Sequence, residues 1–162
     1  LTSIIRRWTG RAHGSWRGQA KELRMTPDAR TLIVVADGRR ARLLEQPRIG
    51  GSLHDRPEWL SGLKEHHEHD GPSHITHPGD ARDRAEMAFL RDLAKRLDDL
   101  NARHGFDQVI LVAPPRALGH LRRGLSTAVA RKVIGSDAHE RVDATIITLQ
   151  SVVQAARFAD AA

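Results

Sequence analysis

The sequence contains no cysteine and no tyrosine, and its aromatic residues are three tryptophans and three phenylalanines. Without cysteine there are no disulfides, thiolate metal sites or cysteine nucleophiles, which suits a reducing cytoplasm. So few aromatics supply little surface for stacking nucleic-acid bases. No apolar run approaches the roughly 18 residues that a membrane-spanning helix needs, so no membrane partner is expected. Three active-site signatures are also missing: the Gly-x-Ser-x-Gly elbow, the phosphate-binding loop and the Gly-x-Gly-x-x-Gly turn.

The body of the chain also lacks an excess of either charge. The formal net charge is +6, but residues 1–24 hold Arg6, Arg7, Arg11, Arg17, Lys21 and Arg24 against Glu22 alone. The remaining residues carry 20 basic and 19 acidic side chains, so total charge is no argument for a nucleic-acid partner. Lys21-Glu22 is encodable as a purine run resembling a bacterial ribosome-binding site, two codons before Met25. Residues 1–24 are therefore expected to be translated upstream sequence, with a disordered basic arm or a targeting segment as the alternatives. Residues 25–162 then form one domain, long enough for a sizeable core.

What is present is organised around residues 108–116. Val109-Ile110-Leu111-Val112-Ala113 is an unbroken apolar run rich in β-branched residues, as in a strand buried on both faces. Pro114-Pro115 stops it, because proline donates no ladder hydrogen bond. Residues 31–36 form a second such run. Asp37-Gly38 follows as a hairpin signal, then a return strand over 40–46, with Ala41, Leu43 and Glu45 on one face, and a weak third strand over 52–58, which Pro57 ends or places at an edge. Apolar residues from Ala85 to Leu100 recur at helical spacing as far as His104. Arg82–Glu86, Asp92–Arg96 and Lys95–Asp99 are i,i+4 pairs on its outer surface, worth about 0.2–0.5 kcal/mol each. Leu118, Leu121, Leu125, Ala128 and Val129 trace the apolar arc of one further helix. A short edge strand is expected within 133–142. The segment after it is ambiguous: Thr145-Ile146-Ile147 favours a strand, whereas Ile147, Val152, Ala155, Ala156 and Phe158 favour a terminal helix over 146–158, which we adopt. The order predicts an α/β domain: three antiparallel-leaning strands, then helix, buried strand and helix.

Three clusters carry candidate chemistry. Arg116 lies just past the carboxyl end of the buried strand, where open α/β sheets bind ligands. His120, Arg122, Arg123 and Arg131 follow it and are suited to phosphate contact, although any solvated helix face carries such charges. Arg39, Arg40 and Arg42 flank the Asp-Gly turn as a smaller basic cluster, which can equally serve to keep an edge soluble. The polar stretch at about 60–79 holds His66, His67, His69, His74 and His77, able to ligate zinc, nickel or copper or to remain a solvated loop. The paired strand-end carboxylates of a two-metal nuclease are not visible. Neither an enzyme nor a cofactor is expected.

Two stretches resemble a known family. Val34-Val35-Ala36-Asp37-Gly38-Arg39-Arg40-Ala41-Arg42-Leu43-Leu44-Glu45 is similar to the opening hairpin of the bacterial host attachment proteins, with their Val-Ala-Asp-Gly-x-x-Ala-Arg signature and a glycine-rich turn after it. Leu111-Val112-Ala113-Pro114-Pro115-Arg116-Ala117-Leu118-Gly119, with Leu121-Arg122, resembles their second signature: strand, Pro-Pro-Arg, and a helix opening on Leu-Gly. The resemblance covers about 30–145. It implies an RNase H-like layered fold similar to the middle domain of archaeal and eukaryotic peptide-release factors, and hence contact with ribosomes, tRNA or other structured RNA. The family's name implies a part in attachment to hosts, through a protein partner or otherwise. Release-factor hydrolysis uses a Gly-Gly-Gln motif; this chain has Gly50-Gly51-Ser52 in an unrelated turn, so that activity is not expected. The sequence reading is thus a non-catalytic, cytoplasmic binding protein.

Overall fold

A computed structural model describes residues 27–64 and 78–159. The strands β1 (Thr31–Ala36), β2 (Ala41–Gln46), β3 (His54–Asp55), β4 (Gln108–Val112) and β5 (Val133–Asp137) form one sheet in the order β3-β2-β1-β4-β5. β1 pairs antiparallel with β2, and β2 with β3, while β1–β4 and β4–β5 are parallel. The helices are α1 (Pro78–His104), α2 (Pro115–Gly124), α3 (Thr127–Ala130) and α4 (Ile146–Ala159). The α/β class and the hairpin–helix–strand–helix order match the sequence reading.

Side chains alternate across a strand, so each strand feeds two cores. Leu32, Val34, Leu43, Val109 and Leu111 pack under α1, α2 and α3 with Phe89, Leu93, Leu97 and Leu121. Ile33, Val35, Leu44, Ile110, Val112 and Ile134 pack under α4 with Leu149, Val152, Val153 and Ala156. β1 and β4 are wholly buried, which is why they read as continuous apolar runs. Gly105 ends α1 at φ 64°, in the left-handed region expected after a helix.

Four expectations change. Residues 118–129 are not one helix: α2 stops at Gly124, Leu125 is extended at φ −68° and ψ 139°, and Ser126 caps α3 by accepting the Val129 N–H at 3.2 Å. The third strand shrinks to His54–Asp55, because Pro57 opens a 3-10 turn over Pro57–Leu60. Of the surface pairs on α1, Arg82–Glu86 closes at 3.7 Å. Arg96 instead donates to the Trp59 and Ser61 carbonyls, tying that turn to the helix. Finally, α4 is helical as expected but rolled. Ile147 and Phe158 lie outside at 80% and 55% exposure, whereas Leu149, Val153 and Arg157 face the sheet.

At the end of the sheet where β1 begins, Glu45 is buried and receives two arginines. Arg30 Nη2 donates to Oε1 at 2.6 Å and Arg56 Nε to Oε2 at 3.1 Å. Burial pushes this carboxyl up, but the hydrogen bonds and charges of Arg30 and Arg56 more than reverse that, leaving it below its ordinary 4.5. A carboxyl lowered by folding contributes stability above its unfolded value and loses it as pH falls through the folded one. Glu45→Gln should therefore cost about 2 kcal/mol at pH 7. Urea titrations at stepped pH should show the difference from the parent shrinking below about pH 4.5. A pH-independent difference would assign the loss to packing instead.

Candidate nucleic-acid interface

The parallel strands β1, β4 and β5 all end at the same edge of the sheet; the β1–β2 turn with Arg39 and Arg40 and the start of α2 with Arg116 lie there, whereas Arg131 precedes β5 at the opposite edge. β4 runs through Ala113 into Pro114 at φ −56°, and Pro115 takes the first turn of α2. Proline suits that position because its missing N–H would have no helical partner anyway. Ala117, Leu118 and Leu121 are the buried side of α2. Arg116, His120 and Arg123, spaced i, i+4 and i+7, therefore share the opposite side. Gly119 lies within that stripe, and the Arg123 Nη2 comes within 3.7 Å of where a Cβ would stand. Arg123 thus folds back along the helix rather than away from it.

Residues 108–135 contain no aspartate or glutamate, so α2 and α3 meet carboxylates only from other elements. Arg116, 60% exposed, pairs with Asp83 of α1 at 2.9 Å, and the hydrogen bond and charge of Asp83 raise its already high pKa. Arg122 points away from the stripe and donates to the Ser136 Oγ at 2.6 Å, joining α2 to β5. Arg131 follows α3 and is exposed, but the break at Leu125 separates it from the α2 stripe. The Ser126 hydroxyl, besides capping α3, donates to Asp98 at 2.7 Å.

The hairpin arginines have internal work. Asp37 Oδ1 accepts the backbone N–H groups of Arg39 and Arg40, each at 2.7 Å, so the carboxylate fastens its own turn. Arg39 is half-buried beside it. Arg40 forms a two-pronged pair with Asp143 at 3.0 and 2.9 Å. Arg42 donates to Asp55 at 2.8 Å and to the Val142 and Ala144 carbonyls at 3.0 and 2.7 Å. Two of the three candidates thus secure the connection from β5 to α4.

One residue at this edge escaped the sequence reading. Asp137, closing β5, accepts Arg141 Nε at 2.6 Å and sits 3.0 Å from His139 Nδ1. Burial pushes its carboxyl up, and the bonds and charges of Arg141 and His139 outweigh that and hold it low. An aspartate at a strand end with bases two and four residues on was the available signal. His66, His67, His69, His74 and His77 lie outside the described residues, as do residues 1–24. Among the described residues no three histidine, aspartate or glutamate side chains converge as metal ligands. No helix among them is long and apolar enough to cross a membrane.

A family model described as "Protein required for attachment to host cells" matches residues 32–152. No curated protein matches the chain. Among solved structures, the chain is similar to an archaeal translation termination factor with a TM-score of 0.47 and 14% identity, over 86% of this chain and 40% of that one. The chain thus spans well under half the length of that factor.

Proposed function

The chain belongs to the family of proteins required for attachment to host cells, and from that premise we propose that it serves there as a non-catalytic binding protein whose α2–α3 face contacts structured RNA, ribosomal or transfer RNA included. The observation that carries the reading is the Arg116–His120–Arg123 stripe, opposite the buried side of its helix and within a stretch free of acidic residues. Phosphate oxygens are the ligand for which spaced guanidinium groups on a convex helix are suited. The strand-end carboxylates Asp37 and Asp137 already have internal donors, which weighs against general acid–base work. The reading includes a cytoplasmic location, in keeping with the absence of cysteine.

The test is co-sedimentation of the full chain with ribosomes and total bacterial RNA over a salt series. Binding is expected to be saturable and to weaken as salt rises. Arg123→Glu with Arg131→Glu should lower affinity roughly ten-fold or more and flatten the log–log salt slope by about 2, one for each lost phosphate contact. The basic residues before Met25 are common to both proteins and cancel in the comparison. Unchanged binding would remove the surface assignment.

A second reading rests on α4. Ile147 and Phe158 are eleven residues apart, three helical turns, so these two exposed side chains share one line on the helix. A protein partner captured on that line would survive nuclease treatment and be lost on Phe158→Ser.

A further inference from the structure

The ion pairs of the described residues differ in how firmly they are built. Glu45 and Asp137 have 8% and 20% of their side chains exposed and are enclosed by their arginines. Two other pairs sit at the carboxyl edge of the parallel strands and are open to solvent on both sides. Arg40 and Asp143 are 42% and 79% exposed at 2.9 Å, with Asp37 a second, more distant partner of Arg40 at 3.8 Å, and Arg116 and Asp83 are 60% and 39% exposed, also at 2.9 Å. Each joins different elements: the β1–β2 turn to the β5–α4 connection, and the start of α2 to the first turns of α1. The geometry is that of strong charge-assisted bonds, two-pronged at Arg40. The setting is one in which such bonds add little stability, because water and salt compete for both partners.

An arginine held in short, planar contact with an exposed carboxylate is already posed for a phosphate, which offers the same oxygen geometry. We propose that this edge is a phosphate-binding rim masked by the chain's own carboxylates, with Asp143 on Arg40 and Asp83 on Arg116 occupying the places that backbone phosphates of structured RNA take. The inference rests on the RNA reading above and adds its regulation. A polyanion displaces each aspartate at small cost and gains a guanidinium in return, whereas an isolated anion at low concentration does not. The rim thus favours a partner with several phosphates in one chain over free phosphate.

The experiment measures binding of the full chain to a labelled RNA hairpin across a salt series, with inorganic phosphate as the competitor. Asp83→Asn with Asp143→Asn is compared with Asp28→Asn. Asp28 lies at the opposite end of the sheet, 85% exposed and 3.9 Å from Arg48, so it controls for net charge. Removing each aspartate is expected to tighten binding by up to about five-fold and steepen the salt slope by up to about 1, less at Arg40, where Asp37 remains 3.8 Å away, than at Arg116. The double variant should also become sensitive to inorganic phosphate, and Asp28→Asn should match the parent. Adding Arg40→Gln and Arg116→Gln to the double variant should abolish the gain. If the parent binds through Arg123 and Arg131 but the double variant keeps its affinity and slope, masking is refuted and the α2–α3 reading stands. If Asp28→Asn, which neutralises one carboxylate to the double variant's two, gains half as much in log affinity, net charge explains the effect and masking is again refuted. Binding by the double variant alone would support masking and overturn the reading that the parent binds unaided. No binding by either would overturn both.

Discussion

Gly135→Ala should unseat the terminal helix and cost about 3 kcal/mol or more. A Cβ at this position would stand 2.1 Å from the Ala156 carbonyl oxygen and 2.8 Å from its carbon. Those atoms are helix backbone, so no rotamer change relieves the contact and the whole of α4 would have to move. β5 has no slack to give in return. Its register with β4 shifts between Val109–Val133 and Ile110–Gly135, leaving Ile134 as the extra residue that turns Gly135 toward the helix. Lifting α4 would loosen Leu149, Val152, Val153 and Ala156 from the sheet face they cover with Ile33, Val35, Ile110 and Val112. Urea denaturation checks the figure. Gly50→Ala is the control: nothing lies within 4 Å of its missing Cβ, but φ is +78°. That change should cost only about 1 kcal/mol from backbone strain. A Gly135→Ala variant within about 0.5 kcal/mol of the parent would mean that α4 is less tightly seated than its geometry demands.

This contact also marks where sequence reasoning ran out. β1, β4 and α1 were legible because each is governed by burial along its own length: two continuous apolar runs and one stripe at helical spacing. Nothing beside Gly135 in the sequence explains it, since its reason lies at Ala156, on a helix that follows the strand. The break between α2 and α3 was hidden because Leu118, Leu121, Leu125 and Val129 keep helical spacing across it. Only Gly124 followed by Ser126 hinted at a stop and a new cap. The site residues divide in the same way. Arg116, His120 and Arg123 could be placed on one helix side from spacing alone. The partner of Arg40 could not, being 103 residues distant along the chain. The rolled face of α4 has a polar cause: Arg157 sits where periodicity alone would place an apolar residue, and its inward position turns Phe158 out.

Arg157 supports the second large expectation. It is 2% exposed, and its acceptors among the described residues are neutral. Nη1 donates to the Gln108 Oε1, and Nη2 to the Gln46 Oε1 at 2.5 Å and the Thr31 Oγ1 at 3.1 Å. These partners stand at the start of β1 and β4 and the end of β2, so one side chain ties α4 to three strands. Desolvation lowers its pKa, but an arginine starts so high that it keeps its proton at any ordinary pH. Its position in the last turn of α4 adds the favourable field of the helix carboxyl end. Arg157→Met should therefore cost about 3–5 kcal/mol, since the glutamine and threonine oxygens are left buried without their donor. Arg157→Lys separates charge from shape. An ammonium reaches fewer of the three acceptors, and the same desolvation depresses a pKa that begins near 10.4, within reach of titration. Between the folded and unfolded values the unfolded chain would bind more protons, so stability should rise with pH, by at most about 1.4 kcal/mol per unit. Urea midpoints at pH 7 and pH 9.5 should thus converge on the parent from below for the lysine variant, while the methionine variant stays uniformly low. Parallel pH profiles for the lysine variant and the parent would show that the site holds its cation without desolvating it, and a methionine variant as stable as the parent would show that α4 is seated by packing alone.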